Sequence, residues 1–259
     1  MLLAVSVLIA AVCSPGLAGA AAADDQARLD EAIDGFNERM TAAGWVSEGP
    51  AGDDDEDEDD ADDDDDADDD SGDDAFAECL GDLGVVFEDL DAEQLPGQVA
   101  QSESDEFSYA SPTESTETTE AFSLEVSEES AAAFAATIDD DSVATVAEFI
   151  DLMGAKSTTD CLLEAFEADM ATESDDSDVP VEFDISVSNE ADLGIGDRSV
   201  ALGYELSAVF IVPIEFDAEV LLAQSGNDVV GVLHAVTGEP ISDFDPRAEL
   251  QLIVDSLDG

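Results

Sequence analysis

The chain has 259 residues with 69 acidic and five basic side chains, a formal charge of −64 and an apolar fraction of 44%. That length suits one large domain or two small ones, and an ordinary apolar fraction excludes wholesale disorder. The charge excludes nucleic acid and anionic lipid surfaces as partners and leaves cations and basic polymers.

The acidity is global. The stretch Asp53–Asp74 holds 18 carboxylates in 22 residues, yet elsewhere 51 acids still face only Arg28, Arg39, Lys156, Arg198 and Arg247. Such self-repulsion is tolerated where the Debye length falls to about 3 Å near 1 M salt, which points to saline surroundings.

In chain order, residues 1–20 read as a signal peptide: an apolar run Leu2–Val12, a break at Cys13-Ser14-Pro15-Gly16, and a small-x-small cleavage pattern at Ala18–Ala20. The run is too short for a transmembrane span, which needs about 20 residues. Cys13 is a candidate lipidation site, but Val12 before it is bulky where lipoprotein processing wants a small residue. Cleavage near Ala20 leaves Cys79 and Cys161, which in an exported protein read as one disulfide, with two unrelated buried thiols as the alternative.

Residues 21–50 carry an amphipathic helix with Leu29, Ile33, Phe36 and Met40 on one face, ended by Gly44. Residues 51–74 form an acidic linker or insertion with no apolar side chain larger than Ala, so nothing offsets the entropy of ordering it. It is expected to be disordered.

Residues 75–259 form a foldable α+β domain. The sequence predicts a helix with Cys79, strands at "EFSYA" and "AFSLEVS", a mobile loop at "SPTESTETTE" and a short helix at "SAAAFAATI". It then predicts a helix with Val143, Val146, Ile150 and Met153 on one face and Ser142 as N-cap, followed by a helix carrying Cys161. The last third alternates strictly: Val181, Phe183, Ile185, Val187; Val200, Leu202, Tyr204, Leu206; Ile214, Phe216, Ala218, Val220, Leu222; then "DVVGVLHAV". That is an antiparallel meander with one apolar and one acid-lined face. Asp245 as N-cap and Pro246 at the first helical position open a final helix with Leu250, Ile253, Val254 and Leu257 buried. The expected fold is an antiparallel sheet with helices packed on one face and the C-terminal helix across the sheet.

No catalytic constellation emerges. "MGAKST" (Met153–Thr158) lacks the glycines of a phosphate loop, whose places hold Ala155 and Ile150, and reads as a helix end and turn. "GIGDRS" (Gly194–Ser199) has Ser where a dinucleotide fingerprint needs its third Gly and reads as a hairpin turn. There is no G-x-S-x-G elbow. His234, the chain's single imidazole, lies inside an alternating strand and reads as a packing residue. Zinc has no ligand set, because the chain offers no paired His/Cys spacing. A calcium loop with Gly72 at its sixth position would have Ala67 first and Asp74 at the apolar eighth, so only loose cation accumulation is expected, around Asp53, Asp62, Asp68 and Asp73.

The order of elements in residues 75–259, with "GDRSVALGYEL", "FDAEVLLAQSGNDVVGVLHAV" and "DPRAELQLIVDSL", resembles secreted or lipid-anchored actinobacterial proteins related to the extracytoplasmic sensor domains of receptor kinases of the PknH type. The resemblance implies an α+β sandwich with a cleft, a disulfide, and ligand sensing without catalysis. The expectation is therefore a secreted, non-enzymatic binding or sensor-like domain of the cell envelope or exterior, without cofactor, whose partner is an unknown ligand or envelope component. The competing expectations are an exported carboxylate-based cell-envelope hydrolase and a cation-buffering acidic surface protein.

Overall fold

A computed structural model describes residues 20–50, 95–110, 127–175, 182–209 and 213–258. Helix α1 (Ala20–Ala42) forms where the apolar spacing places it, and Leu29, Ile33, Phe36 and Met40 are all buried along one face. Gly44, at φ +94, ends the helix. Trp45 N–H donates to Met40 O and Gly44 N–H to Thr41 O, the paired bonds of a Schellman cap.

Eight strands follow in one antiparallel sheet: β1 (Val46–Pro50), β2 (Gln98–Glu103), β3 (Asp105–Ala110), β4 (Glu128–Ile138), β5 (Glu182–Ala191), β6 (Arg198–Val209), β7 (Pro213–Ser225) and β8 (Asp228–Thr237). Their order is β1-β3-β4-β8-β7-β6-β5, with β2 also paired to β4. Strands β2 and β3 cover consecutive stretches of β4 and act as one strand broken at Ser104. Ser104 fills the break itself: its N–H donates to Ala133 O and its hydroxyl accepts from Ala133 N–H.

Between β4 and β5 the chain crosses the sheet through α2 (Val143–Met153) and α3 (Lys156–Asp175), and α4 (Pro246–Leu257) closes it. Asn189 on β5 positions the α2–α3 junction, its amide donating to Met153 O and Ala155 O. Ser142 stands at the N-cap position of α2 without capping through its side chain. Asp245 caps α4 as expected, accepting from Arg247 N–H and Ala248 N–H at 3.1 Å each.

The α+β class, the antiparallel meander and the C-terminal helix are as the sequence predicts. The helices, however, occupy both faces of the sheet where one was expected. Helices α1 and α4 pack on Ala131, Ala133, Ala135, Ala201, Leu221, Ala223, Val230 and Val232. Helix α2 packs on the opposite face, against Val200, Leu202, Leu222 and Val229. The strictly alternating apolar set of β6 and β7 thus faces α2, and the final helix covers the other side. What permits this is the continuous run Val220-Leu221-Leu222-Ala223 on β7 and its neighbour Val229-Val230 on β8, which leave both faces apolar at one end of the sheet.

"SAAAFAATI" is strand β4, correcting the helix expected there. Its alanines favour helix intrinsically, but the segment sits centrally between β8 and the β2/β3 pair and is buried on both sides, so packing overrides propensity. The Cys79 helix, the acidic run and the "AFSLEVS" strand lie outside the described residues.

Candidate functional site

Among the described residues, α4 packs on β7 and β8, and no helix covers the same face of the sheet across β5 and β6. Directly paired residues share a face, so the rows can be read from the register. Asp184 lies opposite Ser207 and Glu215; Ser186 lies opposite Glu205 and Asp217; Glu190 heads a row through Ala201 to Leu221. Asp184, Glu190, Glu205, Glu215 and Asp217 are exposed, making this the acid-lined face that the strand pattern predicts.

Like charges directly opposite on neighbouring strands destabilise a sheet, and Glu205 and Asp217 are such a pair. Burial pushes the Asp217 carboxyl up, and Glu205 and Glu215 beside it push it further. At the α4 margin Arg247 relieves the repulsion locally, 2.7 Å from Glu190 and 3.6 Å from Glu219. Its guanidinium hydrogen bond and charge hold Glu190 below the usual carboxylate range.

A second polar cluster lies on the same face under the loop leading to α4. Glu129, 1% exposed, accepts from Ile241 N–H, from Ser242 N–H at 2.7 Å and from the Ser242 hydroxyl. His234 Nε2 stands 3.2 Å from the same carboxylate; because a carboxylate only accepts, that nitrogen carries the proton. Burial alone would raise the Glu129 carboxyl, but the bonds from Ser242, Ile241 and His234 outweigh it and hold the group below its ordinary value. Trp45, Phe244 and His234 seal the cluster, with ring centroids 5.3 Å apart for Trp45–Phe244 and 4.9 Å for His234–Phe244.

Ser, His and Glu thus meet, but not in the order of a nucleophilic triad. A nucleophilic triad needs the imidazole between hydroxyl and acid. Here the acid is central, and both its oxygens are occupied in fixing the loop. Glu129 and Asp217 share a sheet row across Val236, about 10 Å apart at two strand spacings, with their acidities displaced in opposite directions. The Glu129 carboxylate is buried and already accepts four hydrogen bonds. The cluster ties β4 and β8 to the loop before α4.

The scarce bases are all committed. Arg28 on α1 grips Asp228 on β8 through both guanidinium ends, at 2.6 and 2.8 Å, and also reaches Thr137 on β4 and Leu257 O on α4. Arg39 on α1 holds Glu249 on α4 at 2.8 Å, Arg198 on β6 holds Asp151 on α2 at 2.6 Å, and Arg247 on α4 holds Glu190 on β5. Lys156 pairs with Asp160 within α3. Each arginine joins a helix to a different element. Their scarcity in sequence was the available signal for this; their partners were not readable among so many carboxylates.

Of the remaining expected site residues, Cys161 lies half-buried on α3, while Cys79, Cys13, Asp53, Asp62, Asp68 and Asp73 lie outside the described residues. Among the described residues no group of three or more His, Cys, Asp and Glu side chains is arranged to hold a metal ion, and no helix is long and apolar enough to cross a membrane. A shallow depression of about 560 Å³ runs along Asp34, Asn37, Glu38, Thr41 and Ala42 on α1. No family model, curated protein or solved structure matches the chain.

Proposed function

We propose that this chain is an exported, non-enzymatic binding or sensor-like domain of the cell envelope or exterior, adapted to saline surroundings, which receives cationic groups on the open β5–β7 face. The observation that carries the reading is the exposed carboxylate set Asp184, Glu205, Glu215 and Asp217, held in opposing register on rigid strands with no base paired to it. All five bases being engaged elsewhere supports the same reading, since the surface then offers recognition through carboxylates and neutral groups only. Its exported and sensor-like parts rest on the apolar leader, the cysteine pair and the resemblance of residues 75–259 to sensor domains. The hydrolase alternative would draw on the opposed acidities of Glu129 and Asp217, and the enclosure of Glu129 argues against it.

The test pairs a turnover screen of the full chain on polysaccharide and peptide substrates with titration by poly-lysine at physiological salt. The expected result is binding without turnover, weakened when Asp184, Glu205 and Asp217 are changed together to Asn, Gln and Asn. Turnover abolished by Glu129→Gln without loss of fold would overturn the proposal in favour of the hydrolase.

A further inference from the structure

The two ends of the sheet are finished differently. At one end β1 has only five residues, is bulged between Ser47 and Gly49 and stops at Pro50. Beside it, α1 covers the β2 edge: the Gln26 side-chain amide donates to Gln101 O and accepts from Gln101 N–H. These are standard protections against edge-to-edge pairing.

At the other end, β5 runs ten residues in one-to-one register with β6, from Glu182 opposite Val209 to Ala191 opposite Val200, with no bulge and no proline. Among the described residues it is the last strand of the sheet. One of its faces presents Asp184, Ser186, Ser188 and Glu190 in line with the carboxylates of β6 and β7. The other presents Ile185 and Val187, half-buried on the side where Phe166 of α3 meets Tyr204 of β6 at 5.6 Å.

Such an edge is a template for one more strand, and charge decides which strand fits. A second copy would set the carboxylates of two β5 strands side by side on two strongly anionic bodies. A basic strand meets the opposite condition. We propose that the β5 edge is a docking site for an extended basic peptide segment, added antiparallel or parallel to β5. Its alternate residues are Lys or Arg on the face that presents Asp184 on β5 and, one strand further in, Glu205 on β6, and its intervening residues are apolar beside Ile185 and Val187. This rests on the binding reading above and gives it a partner class: a protein tail or loop with period-two alternation of basic and apolar residues.

The experiment uses the full chain and a short alternating lysine–valine peptide, with a block peptide of the same composition as control, in about 1 M sodium chloride to suppress unspecific attraction. Amide hydrogen exchange is read across residues 182–191. In the free protein the outward-pointing half of these amides should exchange freely; the alternating peptide should slow them and the block peptide should not. N-methylation of alternate peptide amides should weaken binding about tenfold or more, since several strand hydrogen bonds are lost together. Asp184→Lys with Glu205→Lys should weaken it severalfold without changing the melting temperature downward. Equal binding of both peptides with no protection at β5 would overturn the edge site while leaving loose cation binding standing. Protection of β5 already complete in the free protein, or arising from self-association, would overturn it too.

Discussion

Glu129 shows how much one buried side chain organises here. Its carboxylate ties β4 to the loop before α4 and to His234 on β8, and these bonds hold its folded acidity below its value in the unfolded chain. A depressed carboxyl contributes stability that is fully present above its unfolded value, about 4.3, and is lost as pH falls through the lower folded value. Acid unfolding should therefore begin below about pH 4.3 in the wild type, and Glu129→Gln should flatten that limb while lowering stability at neutral pH by about 2 kcal/mol. Urea melts of both proteins across the acid range measure this. Gly231 makes a different point: an added Cβ there would meet Phe134 Cε1 at 2.1 Å, because the phenyl ring of β4 lies across its cross-strand partner. Gly231→Ala is expected to cost about 1–3 kcal/mol by overpacking, read as a lower urea midpoint with unchanged slope.

At the scale of elements, legibility followed periodicity. Helix α1, α2 and α4 and the β5–β8 meander declare themselves through apolar spacing, and every apolar position singled out on the three helices is buried or nearly so. Strand β4 did not, because "SAAAFAATI" has no period of two when both its faces are covered, and alanine speaks for helix. Strand β2, "QVAQSE", carries no such signal, because one buried residue, Ala100, supplies no pattern. The acid-lined face was legible as alternation; its openness was not, since where α4 ends over the sheet is a tertiary fact. The arginine ties were hidden for the same reason. Helix α3 carries the remaining elemental prediction: we expect Cys161 to be joined to Cys79 in a disulfide closing a long loop, a link typically contributing about 2–4 kcal/mol. Non-reducing peptide mapping of exported protein should recover the linked pair; two free thiols would contradict it.

For the whole molecule the governing quantity is charge. Five arginine and lysine side chains, all ion-paired, cannot balance 69 acids, and the body outside Asp53–Asp74 still holds 51 of them. Folding gathers that charge and unfolding spreads it. Salt weakens the few ion pairs but relieves far more repulsion as the screening length falls from about 10 Å at 0.1 M to about 3 Å at 1 M. The most direct measurement is the melting temperature of the full chain, and of a variant lacking residues 53–74, in sodium chloride from about 0.1 M upward to molar levels, chloride being chosen because sulfate also strengthens apolar burial. Both proteins should melt at steadily higher temperature as salt rises. A flat curve for both would contradict the claim that this fold is built for saline surroundings.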